Sequence, residues 1–396
     1  MPSAQAQVLS FEAAVRQAMQ SSPDVAAREY QVRAAQSAAV PAGALPDPKL
    51  FAGIDNFPVS GPNAWGFGEE MTMLTLGVMQ DIPNGGKRRA RVERAQAEIG
   101  AARSEIAAQH LDVALAAALA WLDLFYVERQ VGALADLEAE NRLLQDTVAP
   151  LIASGAAQPA EAVAPELAQA ALADRRSALD ADAAKAKAEL LRWTGLAVDT
   201  PLPESAPVFV IDPEALRAGL ETHPALRAYE AAIARAAAET REAEAAKWPD
   251  LGIQGAVHHR DPQFGWMVSA QVTFDLPLFA STRQDPLIAA KALQTSRVRL
   301  ERDAVHRRLT AELQGAMADY TFAREALQRS REITLPLTGR KVELQMASYR
   351  AGTAPLDMVL AARRERLETE LAALDREAKM TKAAARLTIL FGGVIP

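Results

Sequence analysis

Two kinds of hydrophobic pattern alternate along this chain. Between residues 99 and 134, apolar side chains recur at every seventh position, which is the spacing of a coiled-coil seam. The seam consists of Ile99, Ile106, Val113, Ala120, Val127 and Leu134. Between residues 73 and 79, and again between 267 and 274, the even positions are apolar instead, which is the period of a β-strand. The first pattern predicts a helix of about 65 residues, roughly 100 Å long at 1.5 Å per residue.

Taken in order, these patterns predict the same series of elements twice. We expect helices over 10–43, 85–149 and 160–194 and strands over 49–57 and 71–82, then helices over 213–246, 284–348 and 356–391 and strands over 250–259 and 266–276. The sequence therefore predicts a mainly α protein with two pairs of strands. We divide it into a first repeat (1–195), a linker or equatorial segment (196–212) and a second repeat (213–396).

Short matching motifs support the duplication. Leu45-Pro46-Asp47 returns as Trp248-Pro249-Asp250, and Gln80-Asp81-Ile82-Pro83 returns as Phe274-Asp275-Leu276-Pro277. The offset between matched positions stays between about 194 and 203 residues, so the two copies are colinear. An internal repeat indicates the architecture before any local assignment. Here it favours a pseudo-symmetric object over an enzyme with one asymmetric cleft.

The strands have the length and the two-faced character of membrane strands. About nine to eleven residues cross a bilayer at a tilt, with an apolar face towards lipid and a polar face towards the lumen. The lumen-facing positions would be Met73, Thr75, Met79, Met267, Ser269, Gln271 and Thr273. A half-buried sheet in a soluble protein is the alternative, but the flanking helices are far too long for a globule. Four strands cannot enclose a pore and lipid does not tolerate open sheet edges, so several chains must pool their strands, and three chains would supply twelve.

Composition and charge exclude several functions. The net charge of −7 argues against a nucleic-acid partner, and the absence of cysteine excludes disulfides, thiolate metal sites and thiol catalysis. No nucleophile–base pair, phosphate loop or metal triad appears, so we expect no enzyme activity, no cofactor and no metal centre. His258 and His259 are adjacent on a strand and point to opposite faces, which makes them a poor chelate. No run of 18 apolar residues occurs, so no transmembrane helix is expected.

Three features together resemble a known family. They are the duplicated helix–strand–strand–helix–helix plan, the strand exit Gly77-Val78-Met79-Gln80-Asp81-Ile82-Pro83 with Gly86-Lys87-Arg88, and the later Tyr349-Arg350-Ala351-Gly352 through Leu356-Asp357. The chain resembles, over essentially its whole length, the TolC-family outer-membrane efflux proteins. The resemblance implies a homotrimer in the outer membrane of a Gram-negative cell, with a twelve-stranded β-barrel continued by a periplasmic α-helical barrel. It also implies docking to a periplasmic adaptor (membrane-fusion) protein and an inner-membrane resistance–nodulation–division pump.

The methionines suggest a branch of this family. Met71, Met73 and Met79, near Gly86-Lys87-Arg88, resemble the branch that exports heavy-metal cations such as Cu/Ag or Zn/Co/Cd. A thioether suits soft Cu(I) or Ag(I), but methionine also fills barrel walls as an ordinary flexible apolar residue. A duct for drugs or other organic compounds therefore remains an alternative. A soluble coiled-coil scaffold is a further alternative that explains the helices and leaves the strands unexplained.

The resemblance also implies a gate at the periplasmic tip, where the family uses acidic side chains near the turns between the long helices. Asp357 matches an acidic position after the turn at Gly352, although one residue closer to it than in the best-known member, and Glu161 lies at the equivalent place after Gly155. Three copies of each would attract cations, whereas the alternative is an acid favoured by a helix N-terminus. The tip turns, which should also dock the adaptor, comprise Gly155, Gly352, Pro159 and Pro355.

Overall fold

A computed structural model describes residues 8–153, 163–196 and 201–392. The chain divides into two compact units, and each unit contains segments from both halves of the sequence. The sheet unit comprises Arg28–Glu105 and Pro224–Val305. The helical unit comprises the described parts of Met1–Ala27, Ile106–His223 and His306–Pro396.

The sheet unit contains one antiparallel sheet of four strands. The strands are β1 (Lys49–Asp55), β2 (Met73–Ile82), β3 (Leu251–His259) and β4 (Trp266–Phe274), and their order in the sheet is β1-β2-β3-β4. The two hairpins are joined by pairing between β2 and β3, so strands far apart in sequence form one continuous sheet. Each strand begins and ends within two residues of the predicted position.

The remaining elements are helices. They are α1 (Phe11–Ser21), α2 (Pro23–Ala39), a 3₁₀ turn (Val40–Gly43), α3 (Gly85–Ala153), α4 (Val163–Thr194), α5 (Pro213–Glu221), α6 (Pro224–Ala245), α7 (Gln284–Arg329), a π-helical turn (Ser330–Thr334), α8 (Leu335–Arg350) and α9 (Leu356–Phe391). The long helix α3 has 69 residues and contributes to both units.

Three helices predicted as continuous are interrupted, and a proline accompanies each interruption. The helix expected over 10–43 breaks before Pro23, and the helix expected over 213–246 breaks before Pro224. A proline ring disfavours helical backbone in the preceding residue, and Ser22 accordingly has an extended ψ of 120°. The helix expected over 284–348 contains the π-helical turn immediately before Leu335-Pro336, where proline lacks a donor and its ring clashes with the carbonyl four residues back.

Aromatic rings form the centre of the helical unit. Trp121 of α3 is fully buried, and its ring stacks on Phe125 at a centroid distance of 5.2 Å. Phe11 of α1 meets Trp121 edge-on at 5.6 Å, and the indole N–H donates to the carbonyl oxygen of Leu9 at 3.0 Å. The buried indole therefore has its hydrogen-bond partner, which holds the N-terminal segment against the middle of α3.

The predicted seam of α3 enters this core. Val113, Ala120, Val127 and Leu134 are buried. Within the described residues, one helical stretch, Gly85–Leu143, is long and apolar enough to cross a membrane by length and composition alone. The sequence was expected to contain no such helix. Most of the apolar window is buried inside the protein, so the stretch has the character of a core helix.

Candidate functional site

The strand register gives the sheet one exposed apolar face. Directly opposite residues share a face, and Leu50, Val78, Gly255 and Ala270 lie opposite one another across the four strands. The same face carries large exposed side chains, among them Leu50 (72%), Leu76 (55%), Val268 (79%) and Phe274 (61%). An apolar surface that spans every strand marks contact with lipid or with another protein. We call it the apolar face.

The opposite face, called here the polar face, collects the residues predicted to face the lumen. Met73, Thr75, Met79, Met267, Ser269, Gln271 and Thr273 all lie on it. Residues of β1 and β3 that had not been predicted as site residues share this face, including Asp55, Gln254 and His258. The alternation in β2 and β4 therefore predicted the composition of one face, and the pairing added the contributions of β1 and β3.

A hydrogen-bonded row crosses all four strands of the polar face. The Thr75 hydroxyl in β2 donates to the Asp55 carboxylate in β1 and lies 2.7 Å from Nδ1 of His258 in β3. Nε2 of His258 lies 2.8 Å from Oγ of Ser269 in β4. Asp55 Oδ2 and His258 Nδ1 are 3.8 Å apart, and the His258 side chain is only 13% exposed. We call these four residues the polar row. It links a carboxylate on the edge strand β1 to an imidazole on β3 through a hydroxyl on β2.

A second polar cluster joins the other end of the sheet to α3. Asp250, just before β3, accepts hydrogen bonds from the backbone N–H of Asn84 (2.9 Å), the Asn84 side-chain amide (3.0 Å) and Lys87 Nζ (2.5 Å). Burial by itself raises the pKa of Asp250, but the hydrogen bonds from Lys87 and Asn84 outweigh it and hold that pKa below its ordinary value. The cluster fixes the start of α3 against the β2–β3 pair. Asp250 appeared in the sequence only as part of a repeated motif.

In the helical unit, Gly352 and Asp357 flank the turn between α8 and α9. Gly352 has a φ of 72°, the left-handed conformation expected of it, and its N–H donates to the carbonyl oxygen of Tyr349 at 2.9 Å. Pro355 is the N-cap residue of α9, and Asp357 is exposed in its first turn. The predicted counterparts Gly155, Pro159 and Glu161 lie outside the described residues.

Asp357 also lines a cavity of about 920 Å³ between α3, α4 and α9. Three basic residues, Arg175, Arg363 and Arg364, share this lining with it. The Arg363 side chain is 17% exposed and lies 3.3 Å from the Glu140 carboxylate of α3. The acid predicted from sequence therefore belongs to a charged neighbourhood that includes arginines, which its own pattern did not indicate.

Comparison with known proteins finds a family model that matches part of the chain and solved structures that share its fold. Residues 215–393 match the model of the outer membrane efflux protein family. A membrane protein from Pseudomonas aeruginosa has the same fold, with a TM-score of 0.82 at 15% identity over 97% of this chain and 90% of its own. The family match lies within the second repeat, and the solved structure shares the fold of nearly the whole chain.

Other solved structures share the fold of this chain. VceC, an outer membrane protein from Vibrio cholerae, has a TM-score of 0.79 at 16% identity, covering 98% of this chain and 97% of its own. CusC, solved in connection with transmembrane channel formation, has a TM-score of 0.80 at 14% identity, covering 97% and 92%. A search of curated protein sequences finds no match. The predicted fold class, mainly helical with an antiparallel four-stranded sheet, is confirmed.

The match over residues 215–393 supports an outer-membrane efflux channel, and the solved structures support the fold of such a channel. In the described part of the chain, no group of three or more His, Asp or Glu residues is placed to hold a metal ion. His258 and His259 lie on opposite faces of β3, as predicted, with His259 stacked at 4.5 Å from Trp266.

Proposed function

We propose that the efflux protein is a homotrimeric duct through which heavy-metal cations leave the periplasm by passive conduction. The observation that carries the duct is the two-faced sheet, because its apolar face is exposed on every strand while its polar face holds the polar row. Three such sheets make a closed barrel with apolar side chains towards outer-membrane lipid and polar ones towards the lumen.

The barrel lumen, in this proposal, is lined by the polar face. The lumen residues predicted from β2 and β4 are Met73, Thr75, Met79, Met267, Ser269, Gln271 and Thr273. Apart from the methionines these are neutral hydrogen-bonding groups, and Asp81 of β2 and Asp55 of β1 add carboxylates to the same face. Permeation through such a lumen depends on its diameter and its charged rings rather than on a catalytic group.

The periplasmic gate, in this proposal, contains Asp357 and Glu161. Support comes from the position of Asp357. It follows the turn at Gly352 and is exposed in the first turn of α9. Three copies of each carboxylate would concentrate cations at the mouth. The turns that carry them, with Gly155, Pro159, Gly352 and Pro355, would contact the periplasmic adaptor, which in turn holds the inner-membrane resistance–nodulation–division pump.

Planar-bilayer recording tests the duct and its gate together. Wild-type protein should insert from detergent and conduct cations in preference to anions. The double variant Asp357→Ala/Glu161→Ala should lose much of that selectivity, while Asp303→Ala, an exposed acid far from the turn in sequence, should retain it. Selectivity that is insensitive to the double variant would place the gate elsewhere. Failure of folded protein to insert would reject the duct.

The cargo needs a separate experiment. Met73 and Met79 lie on the polar face, where a thioether can meet a soft cation, and this supports Cu(I) or Ag(I) as cargo. Deletion of the gene should lower tolerance to copper, silver, zinc, cobalt or cadmium and leave tolerance to organic antibiotics unchanged. The opposite outcome would favour the alternative, a duct for drugs and other organic compounds, in which the methionines only fill the wall.

A further inference from the structure

The sheet has two edge strands, β1 and β4, and each leaves one side unpaired within the described chain. Unpaired backbone groups are not tolerated against lipid, so a barrel requires these edges to meet those of other copies. We propose that β4 of one copy pairs with β1 of the next at the register that places Ser269 opposite Asp55, so that three polar rows join into one closed ring. This inference rests on the proposed trimeric duct.

The register follows from a regularity that the sheet itself displays. The matched motifs place β3 203 residues after β1, from Asp47 to Asp250, and β4 194 residues after β2, from Asp81 to Asp275. In the first hairpin Lys49 lies opposite Met79. Moving both residues by these offsets gives Gly252 opposite Thr273, which is the pair observed in the second hairpin. The two hairpins therefore have the same register under the repeat.

The same operation applies to the pairing between hairpins. Thr75 of β2 lies opposite His258 of β3. Moving β2 forward by 194 residues and β3 back by 203 converts this pair into Ser269 of β4 opposite Asp55 of β1, which can only be the Asp55 of a neighbouring copy. The neighbouring pair on the same face becomes Gln271 opposite Gly53. Leu50 then meets Phe274, so apolar residues stay together on the apolar face.

The chemistry of the polar row agrees with this register independently. The repeat equates Thr75 with Ser269, both hydroxyls, and Asp55 with His258, both partners of a hydroxyl. Thr75 bridges Asp55 and His258, whereas Ser269 contacts His258 and lies at the edge of the sheet. Because Thr75 gives its one proton to Asp55, it accepts from Nδ1–H of His258, and Nε2 of the neutral imidazole accepts the proton of Ser269. Across the edge, the register places the neighbouring Asp55 beside Ser269, in the position that His258 has beside Thr75.

Closure turns a row into a ring with a defined position and charge. It lies at the end of the strands next to the loops 56–72 and 260–265, away from the start of α3. The ring contains three copies each of Asp55, Thr75, His258 and Ser269. The ligand it would meet is a permeating cation, which passes three carboxylates held at one level of the lumen.

Cysteine cross-linking tests the register directly, because the chain contains no cysteine. Two variants carry predicted pairs, Ser269→Cys/Asp55→Cys and Gln271→Cys/Gly53→Cys. A side chain at Gly53 meets nothing within 4 Å, so the second variant leaves the polar row intact. Directly opposite Cβ atoms lie about 4.5–5.5 Å apart. Oxidation, or a short bis-maleimide, should therefore convert both proteins in outer membranes into covalent trimers on a denaturing gel.

The matched control is Gln271→Cys/Lys49→Cys, which is shifted by four residues on the same face. Its thiols would be about 13 Å apart along the strand, so it should stay monomeric on the gel, as should each single-cysteine variant. If only the shifted variant formed covalent trimers, the proposed register would be overturned. Absence of cross-links from every pair, in protein that is trimeric by native mass, would overturn this register and leave the trimeric duct standing. A monomeric native mass in detergent would overturn both.

Discussion

The cluster around Asp250 offers a quantitative test of what joins the sheet to α3. Asp250→Asn keeps the size of the side chain and removes its charge. Hydrogen bonds to charged groups contribute about 1.5–3 kcal/mol, and breaking a buried ion pair costs about 3–5 kcal/mol. The side chains of Lys87 and Asp250 are 19% and 24% exposed, so solvent screens part of the attraction between their charges. We expect the variant to lose about 2–3 kcal/mol of the free energy of unfolding.

A neighbouring ion pair supplies the matched control. Lys247 and Asp285 are also 2.5 Å apart, but their side chains are 44% and 47% exposed. Exposed pairs contribute about 0.2–1 kcal/mol, so Asp285→Asn should lower stability by less than about 1 kcal/mol. Urea unfolding in detergent micelles, followed by circular dichroism, compares the three proteins. Equal losses for the two variants would refute the argument that burial strengthens the Asp250 cluster.

The pH dependence provides a second check. Because the pKa of Asp250 is lowered in the folded chain, its contribution is present above the pKa of an unfolded aspartate, about 3.9, and is lost as pH falls through the lower folded value. The difference in stability between wild type and Asp250→Asn should therefore be complete at pH 7 and should shrink below about pH 4. A difference that stays constant down to pH 3 would show that the carboxylate charge is not its source.

Three further substitutions have definite expected outcomes. Gly77→Ala should abolish correct folding of the sheet, because a methyl group there would lie 2.7 Å from the backbone oxygen of Gly255, whereas Gly53→Ala should assemble normally on a native gel. Tyr126→Phe should remove the fall in stability expected of the wild type between pH 10 and 12, because burial raises the pKa of this phenol to about 12 while an unfolded tyrosine ionises near 10. Trp121→Ala should lower the free energy of unfolding by about 3–5 kcal/mol in urea titrations, since the ring is fully buried.

Much of the fold could be predicted because its causes are local. Period-two alternation in β2 and β4 separated apolar from polar residues before any pairing was known. The proline at the N-terminus of α9 and the glycine before it placed the start of the last helix correctly at Leu356. The breaks before Pro23 and Pro224 have a local cause too, since proline restricts the residue before it.

Other features depended on residues that are distant in sequence. The polar row joins Thr75 to His258, 183 positions away, and its existence depends on which strand lies beside which. A slip of one residue between β2 and β3 would have moved His258 to the apolar face. The Asp250 cluster likewise needs Asn84 and Lys87, which lie 166 and 163 positions away. No pattern confined to one segment contains that information.

The sequence by itself therefore determined the elements, the two faces of the strands and the duplication, and its motifs indicated a family resemblance. These follow from backbone propensity and from the spacing of apolar positions, every 3.5 residues in the helices and every 2 in the strands, which acts within a few residues. Only the tertiary structure decided the strand register, the carboxylate–hydroxyl–imidazole row and the ion pairs at the start of α3. These arise because hydrogen bonds form between groups that packing brings within about 3 Å, whatever their separation along the chain.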